Sequence, residues 1–364
     1  DMYPGKYAEQ NPDRSAFVMA ATGERVSYQE FEARSNRVAH YLADKGLGFQ
    51  DHYSIFMENN NRYLESCAAG ERSGLYFTCI NSFLTSDELA YIINNSESQI
   101  LITSMSKLEA AQEALAQCTA IKEVLVVGAG DADLPEGMSD FASTLSKYPE
   151  TPLERELLGA AMLYSSGTTG RPKGIVRPLP EQSPNEPLPV IGFLSGLWRY
   201  REDMIYLSPA PLYHSAPQAA VGLTLRMGGT VVIMERFDPA DYLRFVEEYQ
   251  VSHSQLVPTM FSRMLKMPEE DRTKYDLSSL EVAVHAAAPC PVLVKQQMID
   301  WWGPIIHEYY GATEGLGFAA CDSAEWLAHP GTVGKIVLGE LSVLDDDMQP
   351  MPKGEPGTLW FKSA

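Results

Sequence analysis

From Ser27 to Val127, and again from Met204 to Tyr309, short apolar runs alternate with amphipathic stretches of about ten residues. Ser27-Tyr28-Gln29-Glu30 reads as a capping box. The helix it opens carries Phe31, Val38 and Leu42 at helical spacing, and Gly46 closes it. A strand is expected over 53–57, a helix over 61–73 before Gly74, and a strand over 76–80. Thr85-Ser86-Asp87-Glu88 caps a helix to residue 94, followed by strand 99–103, helix 107–117 and strand 123–127. The second series predicts strands over 204–207, 230–234, 252–257, 280–285 and 305–309, with helices between them. One of those helices opens on Pro258, where a first-turn proline is welcome, and another begins at Pro291. Helical crossovers put successive strands parallel, with a right-handed connection. The predicted class is α/β, with two βα-type subdomains built on largely parallel sheets. After Gly331, residues 334–343 and 357–361 read as antiparallel strands, with turns at Asp345-Asp346-Asp347 and Lys353-Gly354-Glu355. Expected boundaries are 1–160, 161–330 and a small β unit over 331–364.

Between the two series lies Tyr164-Ser165-Ser166-Gly167-Thr168-Thr169-Gly170-Arg171-Pro172-Lys173-Gly174. It follows Ala160-Ala161-Met162-Leu163, which reads as a buried strand. Glycines let backbone N–H groups converge on an anion, hydroxyls donate to phosphate oxygens, and Lys173 adds a positive charge. The spacing is not G-x-x-x-x-G-K-[ST], so this is a polyphosphate loop of another kind. Pro178, Pro180, Pro184, Pro187 and Pro189 then predict a loop that is neither helix nor central strand. Val127-Gly128-Ala129-Gly130-Asp131 lacks the third glycine of a dinucleotide fingerprint, and residues 131–159 read as a surface connection.

The 364 residues include five widely spaced cysteines with no C-x-x-C, a pattern that fits a reducing cytoplasm better than a disulfide framework. No basic-then-apolar leader opens the sequence, and no run of about 18 apolar residues predicts an integral membrane segment. A net charge of −20 argues against nucleic acid or an anionic membrane as a general partner. An oligomer is compatible with this surface. There is no G-x-S-x-G elbow, no H-E-x-x-H, and no paired Cys/His spacing for zinc.

S-S-G-T-T-G-x-P-K-G resembles the signature of the adenylate-forming enzymes: acyl- and aryl-CoA synthetases, luciferases and peptide-synthetase adenylation domains. Three further segments carry the same resemblance. Glu308-Tyr309-Tyr310-Gly311-Ala312-Thr313-Glu314 is similar to the family's Y-G-x-T-E motif. The family has glycine where Tyr309 stands and often Gln, Asp or Asn near Glu308. Ala286-Ala287-Ala288-Pro289 is similar to its G-A-A-P segment, and Pro211-Leu212-Tyr213-His214 to its P-L-[FY]-H segment.

The resemblance implies ATP-dependent activation of a carboxylic acid to an acyl-adenylate, followed by thioester formation with CoA. It implies ATP, Mg²⁺ and CoA as cofactors. Ser165, Ser166, Gly167, Thr168, Thr169, Gly170 and Lys173 would hold phosphate. Ala287, Ala288, Pro289, Glu308, Tyr309, Tyr310 and Gly311 would hold the rest of the nucleotide, with Tyr310 on the adenine, and Thr313 would contact phosphate. Glu314, with Thr168, would hold Mg²⁺, and the catalytic set would be Lys173, His214, Thr313 and Glu314. His214, Val257, Met260, His285, Ala286 and Gly311 would line a pocket for a fatty or other hydrophobic acid. The family's T-G-D segment, hinge and C-terminal lid domain with its lysine do not occur up to Ala364, so the chain is expected to be the large N-terminal portion. Alternatives are an acyl-AMP ligase serving a carrier protein, an aryl-acid–CoA ligase, a luciferase-like oxygenase, and a nucleotide-binding module without catalysis.

Overall fold

Ser27 and Thr85 both close capping boxes. Ser27 Oγ accepts from Glu30 N while a Glu30 carboxylate oxygen accepts from Ser27 N, and Thr85 and Glu88 repeat the exchange. These boxes start the helices Tyr28–Asp44 and Ser86–Asn95. Gly74, at φ 67°, ends the helix Tyr63–Ser73 in the left-handed region that glycine adopts at no steric cost. The computed structural model describes residues 3–165, 171–312, 315 and 317–362. It divides into two units, Asp1–Arg236 and Phe237–Ala364.

In the first unit, six strands among the described residues form a parallel sheet. Their order is Met138–Asp140, Glu123–Val127, Ile100–Ser104, His52–Phe56, Tyr76–Cys79, Ala160–Ala161. Ile100–Ser104 is buried at every position, as a parallel strand covered on both faces must be. Its Leu101 shares a core with Phe56, Leu89, Ile93, Ala111, Ala114 and Val126. A second group pairs Ile205–Ser208 with Thr230–Ile233 and Thr230–Ile233 with Ser15–Met19, all parallel, and Arg25–Ser27 runs antiparallel to Ser15–Met19.

Three expectations change here. Residues 131–159 are not only a surface connection. Asp140 N-caps the helix Phe141–Leu145, which buries Phe141 and Leu145, an element too short to show periodicity. Pro189 does not stay in a loop but opens the helix Pro189–Trp198 at its first turn, where no N–H is required. The run 160–163 is not one buried strand. Ala160–Ala161 joins the parallel sheet, Met162 is buried, and Leu163 begins a separate ribbon.

In the second unit, His253–Leu256, Val282–His285 and Ile306–Gly311 are parallel neighbours. Phe318–Cys321 and Lys335–Leu338 continue the sheet antiparallel. The expected strand over 334–343 therefore splits at Gly339. Its first half joins this sheet, and Glu340–Leu344 pairs with Thr358–Lys362 as a small antiparallel ribbon. The helices Pro239–Tyr249, Pro258–Leu265 and Val292–Trp302 supply Tyr242, Phe261 and Met298 to the core.

Candidate functional site

In the first unit the residues on either side of the segment expected to hold polyphosphate form a two-stranded ribbon. Leu163–Ser165 runs antiparallel to Lys173–Ile175, with Lys173 opposite Ser165 and Gly174 opposite Tyr164. Lys173 is thus set on a strand, with its side chain exposed. Ser166, Gly167, Thr168, Thr169 and Gly170 lie outside the described residues. A Cβ at Gly174 would sit 3.0 Å from Tyr164 Cζ and 2.4 Å from Met162 Cε, so a side chain there must displace the ends of those two. Both flanks of the ribbon reach the helix Ser86–Asn95. Tyr164 Oη donates to Asn95 Oδ1 at 2.7 Å, and Tyr91 Oη donates to the Pro172 carbonyl at 3.1 Å. The Arg171 guanidinium lies 4.9 Å from the centre of the Tyr91 ring.

His214 N-caps the helix Ser215–Arg226 and tilts against Tyr213 at 4.4 Å. The residue keeps an open surface, yet enough protein surrounds the imidazole for desolvation to hold its pKa below the ordinary value. The positive end of the helix dipole acts in the same direction. The neutral ring, an N–H donor, is the form favoured here. Asn59, which sequence reasoning missed, fixes the preceding segment. Its Oδ1 accepts from Leu212 N at 2.9 Å, and its Nδ2 donates to the carbonyls of Ala210 (3.2 Å) and Met234 (3.0 Å). The only signal was an asparagine run, Asn59-Asn60-Asn61, just past a strand.

In the second unit three motifs meet at one end of the sheet. Leu256 is in register with His285, and His285 with Glu308. Val257, Ala286 and the Tyr310–Gly311 end of the third strand therefore follow at the carboxyl ends of parallel strands, where α/β sheets bind ligands. Ala287, Ala288 and Pro289 are exposed, and Ala287 holds φ 75°. That left-handed conformation costs a non-glycine residue about 1–2 kcal/mol, the kind of strain retained at ligand sites. Tyr310 and Gly311 are exposed, and Tyr310 stacks loosely on Phe361 at 6.0 Å. Tyr309, on the other face of the strand, accepts from Gln255 Nε2 at 2.8 Å and stacks on Phe318 at 4.8 Å. Met260 is buried on the helix Pro258–Leu265, and His253 is buried with Nδ1 2.8 Å from Ser252 Oγ. Thr313 and Glu314 lie outside the described residues.

Glu308 and His285 come together beneath that edge. Lys295, from the helix Val292–Trp302, places Nζ 2.5 Å from Glu308 Oε2, and His285 Nε2 lies 3.4 Å from the same oxygen. Lys295 and His285 have no exposed surface. Burial, reinforced by the Lys295 charge, pushes His285 down to a pKa of about 3. Lys295 was missed in the sequence. Its signal is a lone cation on a helix face shared with Met298 and Ile299.

The AMP-binding enzyme family matches residues 6–364. The chain is 28% identical over 282 residues to 4-coumarate–CoA ligase 1 of Petroselinum crispum, covering 76% of this chain and 50% of that protein. It is 25% identical to the medium/long-chain-fatty-acid–CoA ligase FadD8 of Mycobacterium tuberculosis, covering 89% of this chain and 58% of that protein. Thus the chain spans about half to two thirds of the length of the curated relatives it matches. The N-terminal domain of FACL13 from Mycobacterium tuberculosis shares the fold, with a TM-score of 0.80 at 22% identity over 99% of this chain and 87% of that one.

Proposed function

Because the chain belongs to the AMP-binding enzyme family, we propose that it activates a hydrophobic carboxylic acid with ATP and passes the acyl group to CoA. The acid's carboxylate attacks the α-phosphorus of ATP, and pyrophosphate leaves with the electrons of the broken P–O bond. The thiol sulfur of CoA, losing its proton, then attacks the acyl carbon of the adenylate, and AMP departs. No bond to the protein is needed. The protein's part is to position two anions that repel one another and to stabilise the charge that develops.

In the first unit, Ser165 and Lys173, with Ser166, Gly167, Thr168, Thr169 and Gly170, are assigned to the polyphosphate. His214 is assigned to the reacting carboxylate as a neutral donor, in keeping with its lowered pKa. In the second unit, Ala287, Ala288, Pro289, Tyr310, Gly311 and Thr313 are assigned to the nucleotide. Val257, Met260 and Ala286 are assigned to the apolar part of the acid. Glu314 and Thr168 are hard oxygen donors, the kind Mg²⁺ takes alongside phosphate oxygens and water. When bound, Mg²⁺ supplies neutralisation of phosphate charge.

The observation that carries the reading is the ribbon that sets Lys173 opposite Ser165 at the two ends of the loop. The test is exchange of labelled pyrophosphate into ATP with fatty, benzoic, cinnamic and steroid-type acids. Exchange that depends on one acid class is expected. Tight Mg-ATP binding without exchange for any acid would favour the non-catalytic nucleotide-binding module.

A further inference from the structure

Helix Ser86–Asn95 and the phosphate ribbon are joined at two points that no resemblance assigns. Tyr91 and Asn95 are four residues apart, so they share one helix face. Asn95 takes the hydroxyl of Tyr164 on the strand that enters the loop. Tyr91 gives its hydroxyl to the carbonyl of Pro172, the residue just before the strand that leaves it. Arg171, on the leaving side, stacks its guanidinium over the Tyr91 ring. The ribbon has only a short ladder of its own, Leu163–Ser165 against Lys173–Ile175. A two-stranded ribbon is marginal in water without packing against another element. This helix, anchored in the core by Leu89, Ala90 and Ile93, supplies that support.

We propose that Tyr91 and Asn95 are positioning residues for ATP activation, clamping both strands of the ribbon so that Lys173 is held where the polyphosphate binds. They act through the ribbon and need no contact with substrate. This rests on the proposed ATP chemistry. The clamp acts on the polyphosphate end, so it separates ATP from AMP, which lacks the β- and γ-phosphates. Its loss weakens ATP and leaves AMP nearly untouched.

The test compares Mg-ATP and AMP binding by calorimetry for the unaltered chain, Tyr91→Phe, Asn95→Leu, the double variant of these two, Asn95→Asp, and Tyr164→Phe alone and with Asn95→Leu. Tyr91→Phe keeps the ring under Arg171, and Asn95→Asp keeps an oxygen acceptor for Tyr164. The double variant, which loses both hydrogen bonds, is expected to bind Mg-ATP about tenfold more weakly, with AMP within about twofold. Asn95→Asp should stay near the unaltered chain. Asn95→Leu and Tyr164→Phe should not add, because they remove the same bond. Should a variant lose its fold, the comparison of Asn95→Asp with Tyr164→Phe carries the test. Unchanged Mg-ATP affinity in the variants, or an equal loss for ATP and AMP, overturns the clamp. An unaltered chain without affinity for Mg-ATP overturns instead the ATP reading on which the clamp depends.

Discussion

Lys295 and Glu308 form a buried ion pair, Nζ to Oε2 at 2.5 Å, directly beneath the strand end that carries Tyr309 and Tyr310. Taking either partner away strands a charge in the core, which costs about 3–5 kcal/mol, whereas replacing both with apolar groups is often neutral. Lys295→Met should therefore lose stability in that range by urea denaturation, and Lys295→Met with Glu308→Leu should recover most of it. A double variant as unstable as the single one would show that the pair does more than cancel its own charges.

The same cluster gives a pH dependence. His285 has a pKa of about 3 in the folded chain against an ordinary 6.5. Between those values the unfolded chain holds a proton that the folded chain does not, so stability rises with pH across that window. Acidification from pH 7 to pH 4 should remove about 3 kcal/mol through this one residue, at about 1.4 kcal/mol per unit. Unfolding measured across that range should be flatter in His285→Gln. An equally steep profile in the variant would assign the acid sensitivity elsewhere.

Lys173→Ala removes an exposed side chain, so its thermal midpoint should hardly move. Pyrophosphate exchange should fall by about 10²-fold, the scale seen on losing one charge-stabilising group. Retained exchange would remove Lys173 from the polyphosphate role.

Asn59→Ala leaves the buried Leu212 N–H without an acceptor and frees two carbonyls. A stability loss of about 1–3 kcal/mol is expected. If this segment sets the position of His214, the turnover number should fall more than the Michaelis constant for ATP rises. Steady-state kinetics reads the two separately.

Gly159 admits no side chain: a Cβ would lie 2.1 Å from the Gly70 carbonyl oxygen and 2.5 Å from that of Leu75. These are backbone atoms and cannot swing aside. Gly159→Ala should lower stability by about 1–3 kcal/mol in chemical denaturation, the range of overpacked sites. An unchanged midpoint would mean that the chain entering Ala160–Ala161 can shift freely.

The parallel architecture was legible because its signals are local. Ser27 and Thr85 announce helix starts, Gly74 a helix end, and the apolar periods say which face is buried. What escaped is set by distant partners. Ser15–Met19 is a strand because Thr230–Ile233 lies beside it. Lys295 has meaning only opposite Glu308, and Asn59 only opposite Leu212, 153 residues away. The run 160–163 looked like one strand because its composition is uniform, while pairing divides it at Met162. Pro189 was misread because a proline cluster looks the same whether its last member ends a loop or begins a helix.

The ribbon that leaves the sheet at Met162 also bears on how such a chain can change over generations. Its strands pair with each other, its hydrogen bonds to the helix Ser86–Asn95 are exposed at Tyr164 and part-buried at Tyr91, and the Tyr164 ring packs against the core. Substitutions at its exposed residue, Lys173, can alter the proposed affinity or rate with little cost to folding. The strand Ile306–Gly311 has no such freedom, because Glu308 is buried in the core against Lys295 in the same strand whose end carries Tyr310. Variation should therefore gather at such exposed positions, and positions 285, 295 and 308 should change only in concert.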